Sequence, residues 1–309
     1  MANIKYQFLQ AIENSFKENM DKHSIKKTEG HTDKIFSYAA RKNIINVASD
    51  FSKFINLNYT GDEKIRYVRD VGVQHINSYL LSKKDKCTQE TINQISAQLN
   101  KLELVCNKKY HLNLDWHTFR TVPQNDKKSI RNIAFKDKQI EQIKDFLSRA
   151  KECYGKKAIY IGIRWGLRAQ EIECLKVKDF SLDKMQLRIS GSGAKGGRGR
   201  ILEIKEEDIS LIKYLTNGKG PNDRVIPIRK NSICNYLHNV CAKLGFKDIL
   251  DSKTSYHALR KYRAIKYYEE LISNGVDKHT AQGITCEFLG HSRNRVDIAR
   301  HYLLLNRKD

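Results

Sequence analysis

His257-Ala258-Leu259-Arg260, Leu289-Gly290-His291 and Ala299-Arg300-His301-Tyr302-Leu303 set imidazole, guanidinium and phenol groups among apolar residues in the last fifty-odd positions of the chain. His257 precedes Arg260 by three positions, so on a helix both side chains project from one face and reach one group together. Upstream, Gly166-Leu167-Arg168-Ala169-Gln170-Glu171 adds a second arginine with an acidic residue three positions on. Between the two lies Ser190-Gly191-Ser192-Gly193-Ala194-Lys195-Gly196-Gly197-Arg198-Gly199-Arg200, a glycine-rich turn carrying Lys195. Its flanks, residues 185–189 and 201–204, read as two short strands, and glycines suit the tight turn of a hairpin.

Cations gathered around a phenol point to chemistry on a phosphodiester. A tyrosine hydroxyl has a pKa of about 10, so only about 0.1% is phenolate at neutral pH, and attack requires an electrophile whose developing charge is neutralised. Arg168 and Arg260 are suited to that task, because guanidinium is permanently charged and its planar fork matches two phosphate oxygens. A lysine at a hairpin tip, such as Lys195, can serve as general acid for a leaving oxygen.

These residues, in this order, resemble the tyrosine recombinase or phage-type integrase family. Its pattern is an arginine in Gly-Leu-Arg-x-x-Glu, a lysine on a β-hairpin, His-x-x-Arg, a Gly-His pair and a nucleophilic tyrosine. Each element alone is ordinary: a helix ion pair, a solvated loop charge, a core aromatic beside Leu303, Leu304 and Leu305. The ordered set is specific, and it covers residues 137 to 309. The resemblance implies catalytic roles for Arg168, Lys195, His257, Arg260, His291 and Tyr302, with Glu171 supporting the first arginine. Eleven positions separate His291 from Tyr302, somewhat more than in many relatives, yet no other tyrosine follows His291. Only seven residues follow Tyr302, so contacts between protomers are expected to use the helix bearing it or the apolar face of the first helix.

Composition agrees with a nucleic-acid partner. Lysine and arginine number 57 against 35 acidic residues, a formal net charge of +22 with a pI near 9.6, which attracts a polyanion in a salt-dependent manner. No apolar run approaches the roughly 18 to 20 residues that span a bilayer, so no membrane partner is expected and the chain reads as cytoplasmic. Seven scattered cysteines without Cys-x-x-Cys fit reduced thiols better than a disulfide frame or zinc site. No carboxylate cluster suits a two-metal nuclease, so neither metal nor other cofactor is expected.

Organisation along the chain is bipartite. Ile4, Phe8, Ile12 and Phe16 repeat every four residues; Ile44, Ala48, Phe51 and Ile55 mark a second helix, Val73, Ile76 and Leu80 a third, and Ile92 to Val105 a fourth. A polar, basic segment with Pro123 then reads as a linker. The expected domains are therefore a helical DNA-binding domain over 1–122, a basic linker over 123–136 and a catalytic domain over 137–309, in which 137–154 and 159–175 read as helices. The fold class expected is mainly α with a small β-sheet in the catalytic domain. By resemblance the two domains form a clamp around double-stranded DNA at a specific recombination site. Lys83, Lys84, Lys86, Lys108, Lys109, Lys127, Lys128, Arg131, Arg198 and Arg200 are candidate DNA contacts. Also implied are a homotetramer on paired sites, a monomer when free, and an accessory DNA-bending or directionality protein. Integration or excision of a mobile element is the first functional reading. Resolution of replicon multimers, relaxation by a type IB topoisomerase, and binding without catalysis are the alternatives.

Overall fold

The computed structural model describes residues 3–17, 22–30, 32–125, 133–191, 199–252, 255–295 and 301–303. The chain divides into two compact units, residues 1–129 and 130–309. The first is helical: α1 (Ile4–Ser15), α2 (Lys22–Glu29), α3 (Tyr38–Asn58), α4 (Val73–Leu81) and α5 (Gln89–Tyr110). The four-residue apolar repeat makes one face of α1 bury Ile4, Phe8 and Ile12 against α3 and α5. That face fills its own core and is not left open as a contact surface. Trp116 sits fully buried beside Phe8 and Phe51, and its indole N–H donates to the Val71 carbonyl at 2.8 Å, so the largest apolar surface in the core carries no orphaned donor. The helix termini follow local rules: the Thr88 hydroxyl accepts from the Thr91 amide to start α5, and His111 ends it in the left-handed region with φ of 52°.

The second unit contains α6 (Asp137–Arg149), α7 (Tyr154–Trp165), α8 (Ala169–Cys174), β1 (Phe180–Ser181), β2 (Gln186–Ile189) and β3 (Arg200–Glu203). After these come α9 (Ile209–Thr216), α10 (Lys230–Lys243), α11 (Lys247–Asp251), α12 (Ser255–Ser273) and α13 (Lys278–Phe288). Helix α7 packs against α10 and α12, with Ala158, Ile159 and Ile161 meeting a core that includes Leu237, Ala258 and Leu259. The sheet is antiparallel in the order β1-β2-β3. Leu187 faces Leu202 across β2 and β3 and both are buried, so side-chain alternation aims every second residue of the hairpin at the helices. The fold is thus mainly α with one small sheet, as the sequence implies.

The structure corrects the extent of two helices. The expected 137–154 helix stops at Arg149, and the expected 159–175 helix is two helices, α7 and α8. Gly166 makes that second break. It adopts φ of 59°, where a side chain is strained, and its amide closes on the Gly162 carbonyl at 3.0 Å to end α7. The short strand β1 was not foreseen; two residues carry too little periodicity to announce it.

Candidate active site

Two helix ends and one helix start build the site. Arg168 is the residue before α8, and its backbone N–H donates to the Glu171 carboxylate at 2.8 Å, satisfying one of the amides a helix start leaves unpaired. The same carboxylate accepts from the Arg168 guanidinium at 2.8 Å. Helix α13 ends in a Schellman arrangement: the His291 amide bonds the Cys286 carbonyl at 2.8 Å, the Gly290 amide bonds Glu287 at 2.8 Å, and Gly290 takes φ of 73°. This turn delivers His291 to the site and leaves the Phe288 and Leu289 carbonyls for other donors. Those carbonyls lie at the negative end of a helix dipole and accept from two arginines. Arg200 Nε donates to Phe288 O at 2.8 Å, and Arg260 Nη2 donates to Leu289 O. Arg260 Nη1 also donates to the carbonyl of Gly166, the residue that caps α7.

Glu171 lies at the centre, its side chain fully buried. Arg200 grips both its oxygens, at 2.8 and 3.0 Å, and Arg260 approaches to 3.7 Å. Burial by itself would raise the Glu171 pKa, but the hydrogen bonds from Arg200 and the charges of Arg260 and Arg200 prevail and hold it down to about 2. Three guanidiniums therefore share one carboxylate, an excess of two positive charges in a desolvated place. Burial, opposed chiefly by Tyr302, brings Arg260 down to about 10, so it stays cationic at neutral pH. Arg168 keeps part of its side chain at the surface, at 18% exposure, and its Nη2 lies 3.0 Å from His291 Nε2.

Tyr302 completes the group. It is buried against Ala264 and Leu289, with its ring 5.1 Å from that of His257, 6.1 Å from that of His291 and 5.7 Å from the Arg260 guanidinium carbon. Arg168, Glu171, His257, Arg260, His291 and Tyr302 thus meet at one place, drawn from segments spread over more than a hundred residues. A phosphate entering beside Arg168 would find a forked cation, two imidazoles and a phenol, a set able to neutralise a phosphorane and to supply an oxygen nucleophile. Lys195 and Arg198 lie outside the described residues, as do Lys127, Lys128 and Arg131.

The other candidate DNA contacts divide. Lys84, Lys86 and Lys108 are exposed, and Lys109 is half-buried. Lys83 turns inward, 2.5 Å from an Asp50 oxygen and 4.8 Å from the Tyr79 ring. Arg200 is held in the Glu171 cluster at 7% side-chain exposure, which its reading as a surface contact did not anticipate. A signal was available: Arg200 pairs with buried Ile189 and lies two residues before buried Leu202, so strand alternation points it inward.

Residues 134–308 match the phage integrase family, and the chain belongs to that family, the tyrosine recombinases, which cleave and rejoin DNA strands. The tyrosine recombinase XerA of Saccharolobus solfataricus is 27% identical over 104 residues, 34% of this chain and 35% of that protein. The match therefore spans about a third of that recombinase's length. Among solved structures, the XerH site-specific recombinase bound to difH substrate superposes with a TM-score of 0.66 at 13% identity, covering 100% of this chain and 95% of that one. The Tn1549 transposon integrase in complex with circular intermediate DNA gives 0.62 at 13% identity, covering 96% and 94%. At such identities the likeness is one of fold. Among the described residues no helix is long and apolar enough to cross a membrane.

Proposed function

We propose that this protein is a site-specific DNA recombinase that cleaves and rejoins duplex DNA through a 3′-phosphotyrosyl intermediate, serving integration and excision of a mobile element. Tyr302 attacks the scissile phosphorus, and the bond to the 5′-oxygen breaks as that oxygen takes a proton from Lys195. Arg168, Arg260 and His291 neutralise the non-bridging oxygens, and His257 assists as a hydrogen-bonding or acid/base group. Because the phosphotyrosine retains the bond energy, a 5′-hydroxyl from another duplex religates the strand without ATP. The observation that carries this reading is the convergence of Tyr302, His257, His291 and Arg260 within 5.1 to 6.1 Å, joined to Arg168 through His291.

Residues 1–122 serve as the DNA-binding domain, 123–136 as the linker and 137–309 as the catalytic domain, with double-stranded DNA as the partner. The net charge of +22 supports a DNA partner, as do the DNA-bound states of the XerH and Tn1549 relatives. Four protomers gather on paired sites, since exchange cuts two strands in each of two duplexes, and the free protein is a monomer. The test is Tyr302→Phe on a nicked suicide substrate. The variant is expected to bind DNA as the parent does and to give no covalent band on a denaturing gel; a surviving band moves the nucleophile elsewhere.

A further inference from the structure

Arg200 has no place in the scheme above, yet it is among the most fully engaged side chains of the site. Three of its donors are committed: Nε to the Phe288 carbonyl at 2.8 Å, Nη1 and Nη2 to the two oxygens of Glu171 at 2.8 and 3.0 Å. The neighbouring backbone is shaped around it, because a Cβ on Gly290 would stand 3.0 Å from Arg200 Nη1. Glu171 in turn holds Arg168 twice, by its backbone amide and by its guanidinium, and Arg168 meets His291. The chain of contacts thus runs from β3 to the arginine with the most open face.

We propose that Arg200 is a positioning residue for strand cleavage: its fork fixes both oxygens of Glu171, which fixes the guanidinium of Arg168 against the phosphate, and ties the start of β3 to the end of α13. The proposal rests on the reading that Arg168 and Tyr302 act on the scissile phosphate. A lysine cannot reproduce the role, since an ammonium is a point charge without two parallel donors. A phosphate contact is the competing role, but a side chain 7% exposed with its fork on a carboxylate offers little to a phosphate.

Arg200→Gln and Arg200→Lys separate the two. DNA affinity is measured by gel shift against salt, and single-turnover cleavage on a suicide substrate at saturating protein. Positioning leaves affinity within about 3-fold and the salt slope unchanged, while cleavage by Arg200→Gln falls about 100-fold, the scale of a misplaced catalytic group. A second readout is pH. Glu171 faces Arg168 and Cys174 from its own segment, Arg200 from β3, and Arg260 and Tyr256 from α12, with His291 beyond Arg168. Without the Arg200 fork, Glu171 loses a partner that depresses its pKa and its carboxyl binds a proton more readily, so the ratio of variant to parent cleavage rises with pH as Glu171 ionises. Adding Glu171→Gln to Arg200→Gln should abolish that rise and leave a rate no lower than the slower single variant. The proposal is overturned if the salt slope drops by about one with cleavage at saturation intact, or if the two single defects multiply in the double variant. Should Arg200→Gln fail to fold by circular dichroism, Arg200→Lys carries the test, with loss of cleavage at parental affinity expected and parental cleavage fatal. Tyr302→Phe in the same assay keeps the underlying reading separate: a covalent band there defeats the catalytic assignment, whatever Arg200 does.

Discussion

Each unit of this molecule buries one glutamate beside arginine, and the two constructions do different things. In the first unit Glu103 accepts from the Trp116 amide at 3.0 Å, lies 2.8 Å from His117 Nδ1 and 3.8 Å from Arg120. Arg120 is also spent on the carbonyls of Trp116 and Ser96, at 2.9 Å each. Every partner lies between residues 96 and 120, and Asp115 adds a second negative charge beside His117. The charges close on themselves and pin the loop after α5 to its helix. In the second unit one carboxylate meets three guanidiniums contributed by the start of α8, by β3 and by α12, and the excess positive charge remains available beside an accessible face of Arg168. The count of cations per carboxylate, not burial or hydrogen bonding, separates a structural staple from the cluster proposed to receive a phosphate.

That contrast can be broken most sharply by removing each charge in turn. Glu171→Gln leaves three guanidiniums without their shared anion, and it should lower cleavage more than about 100-fold and destabilise the unit by roughly 3 to 5 kcal/mol. Single-turnover cleavage and urea unfolding measure both. Glu103→Gln should cost only about 1 to 3 kcal/mol through weakened hydrogen bonds, with cleavage per folded molecule at the parental rate. Equal cleavage defects in the two variants would erase the distinction between the clusters.

A smaller effect is expected at Gly290. Gly290→Ala demands a left-handed conformation and sets a methyl 3.0 Å from Arg200 Nη1, so about 1 to 2 kcal/mol of stability should be lost together with part of the cleavage rate. Stability lost at full activity would show that the α13 turn does not govern the arginines. The smallest effect concerns acid. Because Glu171 is depressed from 4.5 to about 2 in the folded state, its contribution is fully present above pH 4.5 and is lost as pH falls toward 2. The difference in melting temperature between the parent and Glu171→Gln should therefore shrink below about pH 4.5; a constant difference from pH 6 to 3 would exclude it.

Much of this was legible in residue order. The four-residue repeat of Ile4, Phe8 and Ile12, and the four-three-four spacing of Ile44, Ala48, Phe51 and Ile55, specify buried helix faces because period alone fixes which side of a helix is apolar. The break at Gly166 escaped the periodicity, since an apolar pattern runs through it and only the left-handed backbone reveals the cap. Lys83 and Arg200 both read as basic surface. Both turn inward, Arg200 with 7% and Lys83 with 18% of the side chain exposed, because Glu171 and Asp50 claim them from 29 and 33 positions away.

By itself the sequence determined the helical periodicity, the basic character and the identities and order of Arg168, Lys195, His257, Arg260, His291 and Tyr302, all properties carried by single residues and their near neighbours. Tertiary structure alone decided that Glu171 would hold three arginines, that the ends of α7 and α13 would lend their carbonyls to Arg260 and Arg200, and that Tyr302 would lie against two imidazoles. The reason is physical: which face of an element is buried follows from local spacing, whereas which charge it meets there depends on the packing of segments that are remote in the chain.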